Sequence, residues 1–323
     1  MSLSLLGTAT RYFLEVARTG SVTQAAEQLH VAVSAVSRQI TKLEDSLGCA
    51  LFERQARGMA LSAAGERLAA YVRTTMLDAE RVVDEVKGLG GQRASRIRIA
   101  CTEGFACGFM AEVMSSFRQA HPSCSIHLHV GTPDEVSRHL LRGEVDLGLK
   151  FSLTPEKGLK IEHNQPAPIM VLAAPGHALA RRRSVSMADI VRHPLAVPEV
   201  GTTVRQMLDL SCSLKGLHYQ VAYTGNYATL LALTTRGEVL SLSALVSAAH
   251  AVRAGDLVAV PVSEPQFRQR SLQVLTLQGQ TPSTPVIGFR AHLIEMALKR
   301  GQARDGDTRK RHGKTQASGP TVA

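Results

Sequence analysis

The sequence predicts an α+β chain in three parts: a helical head with a short strand pair, one long helix, and an α/β region of about two hundred residues. Three observations carry this. Between Thr23 and Gly48 two short helices meet at a tight break at His30-Val31, and the second places Val36, Ile40, Leu43 and Leu47 at the alternating four-and-three step of one helix face. Residues 63–88 then run without a proline. From Arg96 onward, short strands alternate with helices. A length of 323 residues is enough for two or three domains with real cores.

The head opens with an amphipathic helix from Leu6 to Arg18, whose buried side is Tyr12, Phe13, Val16 and Ala17. Gly20-Ser21 ends it. Thr23 is read as the N-cap of the next helix, whose Ala25, Ala26 and Leu29 form a small contact face. The third helix turns Ser34, Ser37, Arg38, Thr41 and Lys42 away from its apolar stripe, side chains able to donate to phosphate oxygens or base edges. Gly48 stops it, and residues 50–62 form two short strands around an Arg57-Gly58 turn, with Arg54 and Arg57 near the tip. Helix, helix, helix and wing in that order make a winged helix-turn-helix. An ordinary core hairpin with two solvated arginines is the competing reading.

Charge tempers the nucleic-acid interpretation. The formal net charge is +10, yet residues 297–323 hold seven cations against two acids, and the first 66 residues hold six of each. Affinity for DNA in the head must come from where the charges sit.

The segment from Tyr12 to Glu66 resembles the N-terminal domain of LysR-type transcriptional regulators. It does so through Tyr12-Phe-Leu-Glu-Val-Ala, Gly20-Ser-Val-Thr-Gln-Ala-Ala-Glu-Gln-Leu-His-Val, Ala35-Val-Ser-Arg-Gln-Ile, Leu43-Glu, Leu47-Gly, Leu51-Phe-Glu-Arg and Leu61-Ser-Ala-Ala-Gly. One departure falls at the start of the recognition helix, where Ala32-Val33 stands in place of the family's usual Ser-Gln. Losing a serine cap costs on the order of 1 kcal/mol. Val33 offers a thymine methyl an apolar contact where glutamine would hydrogen-bond.

Residues 63–88 form one helix after a Ser62 cap, with Leu68, Val72, Thr75, Ala79, Val82 and Val86 as a heptad-like stripe suited to an antiparallel dimer. Gly88-Leu-Gly-Gly-Gln-Arg-Ala-Ser95 is a hinge. Strands follow at 96–101, 125–130, 145–150, 168–174, 195–197, 219–223, 239–242, 257–260 and 271–277. Helices are expected at 110–119, 135–142, 203–211, 226–236 and 284–299. The alternation predicts parallel sheets. The region resembles the family's effector domain, a periplasmic-binding-protein-like pair of lobes, through Gly143-Glu-Val-Asp-Leu-Gly, Pro175-Gly-His-Ala-Leu-Ala and Gly255-Asp-Leu-Val-Ala-Val. The expected domains are a winged head at 1–62, a linker helix and hinge at 63–92, an effector domain at 93–299 and a basic disordered tail at 300–323. Within the effector domain, lobe I covers about 93–164 and 268–299, and lobe II about 165–267.

In parallel α/β sheets ligands gather at the carboxyl ends of strands, where helix N-termini favour anions. Three such ends carry suitable groups: Cys101, Thr102, Glu103 and Gly104; Thr202 and Thr203; Thr224 and Asn226. By the resemblance, Thr102 and Thr202 or Thr203 match effector-contacting hydroxyls of the family, while plain N-caps are the competing role. Glu103 pointing inward favours an amine-bearing or neutral effector; pointing outward, it complements a helix dipole.

Other chemistries find less. Five scattered cysteines without Cys-x-x-Cys argue against a disulfide framework or zinc ribbon, and His127 with His129 lacks a third metal ligand. Peroxide-sensing members of the resembled family use two cysteines where this chain offers Thr203 and Cys212. No Gly-x-Ser-x-Gly or phosphate loop is present, so neither an enzyme nor a cofactor is expected. No apolar run approaches the roughly 18 residues of a membrane span, and no signal peptide is evident, which places the expected protein in the cytoplasm. The resemblance implies a ligand-responsive DNA-binding regulator on an interrupted palindrome. Its implied partners are double-stranded DNA, a small-molecule effector, further copies of itself as dimer or tetramer, and RNA polymerase. A solute-binding or interaction protein with a degenerate DNA head is the alternative, which Ala32-Val33 and the neutral head suit.

Overall fold

The structure is a computed structural model describing residues 7–55, 58–88 and 96–313. It separates into two compact units, one holding Met1–Ser95 and the other most of the chain from Arg96. In the first, α1 (Thr8–Thr19), α2 (Val22–Leu29) and α3 (Val33–Leu47) precede the hairpin of β1 (Phe52–Gln55) and β2 (Gly58–Leu61), followed by α4 (Ala63–Gly88). Tyr12, Phe13 and Val16 bury one side of α1 against Ala25, Ala26, Val36 and Ile40. Phe52 closes the core, its ring 5.4 Å from that of Phe13. Burying an aromatic of this size contributes roughly 1.5–3 kcal/mol.

Two local expectations need correction. Ser21, not Thr23, caps α2: its side chain accepts the Gln24 N–H, and Thr23 lies exposed within the first turn. Extended geometry at Ser21 (φ −149°) puts its oxygen over the free N–H groups, as capping requires. Leu47 is 50% exposed rather than buried. The chain reverses at Gly48, which has φ 67°, and Leu51 and Phe52 fill the core that the stripe's last residue does not reach.

The hairpin is pinned from two sides. The Met59 N–H donates to the Gly20 carbonyl at 2.8 Å, and Glu44 on α3 accepts the Leu51 N–H at 2.7 Å. A side chain at Gly58 would come within 2.5 Å of the Gly20 oxygen, so the approach requires glycine. Helix α4 starts where Ser62 donates to the Ala50 carbonyl and accepts the Gly65 N–H. Ala69 and Val72 are buried, while Tyr71, Met76 and Val82 are exposed. The expected hinge from residue 89 to 95 lies outside the described residues.

The second unit is built on two five-stranded sheets. Its elements are β3 (Arg96–Thr102), α5 (Glu103–Phe105), a π-helical turn at Ala106–Met110, α6 (Ala111–Ala120), β4 (Ser125–Gly131), α7 (Pro133–Leu141), β5 (Leu147–Ser152), β6 (Leu159–Pro166) and β7 (Ile169–Ala173). Then follow α8 (Met187–Ile190), β8 (Leu195–Pro198), α9 (Thr203–Leu214), β9 (Val221–Gly225), α10 (Tyr227–Thr235), β10 (Leu240–Ala244), α11 (Leu245–Ala254), β11 (Val258–Pro261), β12 (Ser271–Leu277) and α12 (Thr284–Gly313). The sheet orders are β4-β3-β5-β12-β6 and β11-β7-β10-β8-β9.

Neither sheet is wholly parallel, contrary to the sequence expectation. β12 runs antiparallel to β5, and β7 runs antiparallel to both β10 and β11. The reason is that the chain leaves the first sheet after β6, builds the second, and returns to lay β12 between β5 and β6. The two crossings lie side by side, the Ala167 N–H donating to the Arg270 carbonyl at 2.9 Å. Strand β6 and helix α11 were not anticipated. Of the expected disordered tail, residues 300–313 continue α12 to Gly313, and 314–323 lie outside the described residues. No helix among the described residues is long and apolar enough to cross a membrane.

Candidate nucleic-acid interface and effector cavity

On the head, one face of α3 is turned to solvent. Val33 (45% exposed), Ser34, Ser37, Arg38, Thr41 and Lys42 all lie on it, and Thr23 is exposed on α2. The same helix buries Val36 and Ile40, so the core fixes which side chains face outward. Ala32 gives the first turn no side-chain hydrogen bond, and its extended backbone (ψ 140°) still directs the helix start outward. An uncapped N-terminus leaves N–H groups for an anion such as a phosphate. Arg54 stands opposite Met59 in the hairpin, and Arg57 lies outside the described residues. Glu44, which the sequence marks only as part of the resemblance, is half-buried and holds the start of β1.

In the second unit a cavity of about 450 Å³ opens at the carboxyl ends of strands from both sheets. Thr102, Glu103, Gly104, Thr202, Thr203 and Asn226 line it as expected from sequence. Two predicted members do not. Cys101 is fully buried in the first sheet's core, its side chain pointing to the opposite face from that of Thr102. Thr224 is exposed on β9, the edge strand of the second sheet. Gly104 makes close approach possible: a side chain there would meet the Ser247 hydroxyl at 2.8 Å.

The threonines divide in role. Thr202 caps α9, accepting the Arg205 N–H, and Asn226 caps α10, accepting the Thr229 N–H. Thr102 makes no cap hydrogen bond, and its buried hydroxyl has no partner among the described residues. Thr203 accepts from Nη1 of Arg270 at 3.3 Å. Glu103 reaches the N-terminus of α10, its Oε2 accepting the Tyr227 N–H at 2.9 Å. It therefore complements a helix dipole and lines the cavity at once.

Arg270 was missed. It is 1% exposed, donates Nε to the Ala167 carbonyl at 3.3 Å, and leaves Nη2 without a hydrogen-bond partner among the described residues. Burial pushes its pKa down to about 9, leaving it cationic at neutral pH. The Ser247 hydroxyl is likewise buried without a partner. Elsewhere His129 meets His139, the ring Nε2 atoms 3.1 Å apart, rather than pairing with His127. No group of three or more His, Cys, Asp or Glu gathers to hold a metal among the described residues.

Residues 8–66 match the family model described as bacterial regulatory helix-turn-helix protein, lysR family, and residues 90–298 match LysR substrate binding domain. The chain belongs to the LysR family. It is a ligand-responsive, DNA-binding transcriptional regulator. Among relatives, it is 30% identical to a probable nitrogen assimilation transcriptional activator of Synechococcus elongatus over 86% of this chain and 90% of that one. It is 32% identical to a RuBisCO operon transcriptional regulator of Allochromatium vinosum over 64% of this chain and 68% of that one. Full-length OxyR from Pseudomonas aeruginosa shares the fold at 18% identity, with a TM-score of 0.57 over 92% of this chain and 94% of that one. The LysR fold thus accounts for both the winged head and the twin sheets.

Proposed function

We propose that this LysR regulator docks α3 in the major groove of an interrupted palindromic operator and senses a small molecule in the cavity between its two sheets. Val33, Ser34, Ser37 and Arg38 face base edges, while Thr23, Thr41 and Lys42 face phosphates, a role that Arg54 and Arg57 are assigned from their place in the sequence. The observation that carries this reading is the solvent-turned face of α3, opposite a buried Val36–Ile40 stripe. Oligomerisation through α4 is supported by the exposure of Tyr71, Met76 and Val82, apolar groups that a second copy would cover. The same reading includes a cytoplasmic location, where chromosomal DNA lies, and RNA polymerase as a further partner.

Effector coupling requires one arrangement of the lobes to bind the ligand better than another. What supports this is that Thr102 ends a strand of the first sheet, Thr203 opens the helix after one of the second, and Arg270 sits in a crossing, all three lining one cavity. The test is selection of duplexes from a random library with the full chain, followed by binding across salt concentrations. A two-fold symmetric motif is expected, and Arg38→Ala is expected to lower the slope of log affinity against log salt by about 1 if it binds phosphate, or to relax one base position if it reads an edge. Absence of salt-dependent duplex binding by the wild type refutes the reading.

A further inference from the structure

We infer that the effector is a small amphoteric molecule, its carboxylate seated on Arg270 at the cavity floor and an ammonium or guanidinium held by glutamates at the mouth. This rests on the reading of the cavity as the effector site.

The floor is built for an anion. Arg270 is buried with its guanidinium on the face of Phe151, and among the described residues no carboxylate pairs with it. Among the described residues its Nη2 lacks a hydrogen-bond partner, as do the buried hydroxyls of Thr102 and Ser247. Buried polar groups are ordinarily satisfied, and a buried cation is costly until an anion meets it. Three donors that line one cavity, from a strand end of the first lobe, a helix of the second and the crossing between them, are what a carboxylate completes. At the neighbouring helix N-termini Thr202 and Asn226 each take one backbone N–H, and Glu103 takes a second at the start of α10.

The mouth selects the opposite sign. Among the described lining residues Arg270 is the sole cation, against the carboxylates of Glu103, Glu135 and Glu199. Two of them are fixed by their own contacts, Glu103 on the Tyr227 N–H and Glu135 on the N–H and hydroxyl of Thr132. The Thr132 backbone and hydroxyl hold the Glu135 carboxyl below the usual carboxylate range, so it stays charged. A second carboxylate on the ligand would face these like charges, whereas an ammonium would complement them. A plain dicarboxylate or a diamine satisfies only one end.

The experiment titrates the full-length protein by calorimetry with straight-chain ω-amino carboxylates, and with dicarboxylates and diamines of matched length. At least one amino carboxylate is expected to bind tenfold or more tighter than both counterparts. Arg270→Gln abolishes that binding, and Arg270→Lys restores part of it. The combined E103Q, E135Q and E199Q variant, altered only near the mouth, shifts preference at least tenfold toward the dicarboxylate, which keeps the test open even if Arg270→Gln fails to fold. A preferred dicarboxylate or diamine, or no binding of any amino carboxylate at millimolar concentration, overturns the inference. The chain has no tryptophan, so Val200→Trp, at a cavity-lining position 78% exposed, supplies a single reporter. A dicarboxylate that binds and changes its fluorescence overturns the charge assignment while leaving the cavity reading intact. Binding without a fluorescence change overturns the cavity reading itself.

Discussion

The guanidinium carbon of Arg270 lies 4.1 Å from the centre of the Phe151 ring. Phe151 in turn stacks on Phe105 at 4.1 Å and 23°, so the cation rests on a fixed aromatic floor. Such a contact offsets part of the cost of burial, yet the missing carboxylate leaves the ligand-free protein carrying an uncompensated charge. Arg270→Met is therefore expected to stabilise the ligand-free protein by on the order of 1 kcal/mol while removing effector response. Thermal unfolding decides: a lowered midpoint in a folded variant would make Arg270 a structural support.

The first turn of α3 lacks a side-chain cap because Ala32 occupies the N-cap. Ala32→Ser is expected to stabilise the head by about 1 kcal/mol. Chemical denaturation followed by circular dichroism measures it, and an unchanged midpoint would show that the turn gains nothing from a hydroxyl.

Gly65 sets how closely α4 approaches the wing. A Cβ there would lie 2.0 Å from the Leu51 carbonyl oxygen and 2.9 Å from a methyl of Leu61. Gly65→Ala forces backbone apart and is expected to cost roughly 1–3 kcal/mol despite alanine's higher helix propensity. DNA binding should fail at temperatures the wild type tolerates, as anisotropy titrations across temperature would record.

Acid sensitivity is expected from Glu264. Burial pushes its pKa up, but hydrogen bonds from Lys215, the Met187 N–H and Ser263 outweigh that and leave it below the ordinary 4.5. The folded state binds the proton less tightly than the unfolded chain. Its stabilisation is therefore full above the unfolded value and is lost as pH falls through the folded one. Glu264→Gln should be less stable at neutral pH by on the order of 1–3 kcal/mol and should lose less on acidification below about 4.5. Melting curves over a pH series in which both proteins lose stability in parallel would count against it.

The head was legible because its turns are chemically marked. Gly20, Gly48 and Gly58 each take positive φ, and Ser21 and Ser62 supply oxygens at helix starts. Its errors, Thr23 as a cap and Leu47 as core, fall at element ends, where one residue of drift changes the environment. In the second unit the positions of most strands were legible but their directions were not. The antiparallel pairing of β5 with β12 depends on partners more than one hundred positions apart, which no local pattern encodes. Helix α11 escaped notice because in Leu245–Ala254 only His250 and Arg253 mark the exposed side. Arg270 looks in sequence like the exposed Arg268 two places before it. Its burial comes from Ala167, Phe151 and Thr203, contributed from far along the chain.

The bonds that pin the wing, from Met59 to the Gly20 carbonyl and from the Leu51 N–H to Glu44 on α3, join it to both the turn before α2 and the body of α3. The head then behaves as a stamp rather than a hand. Lifting the described strands of the wing means breaking those bonds to α3 and to the turn before α2, so grip and helix placement move together.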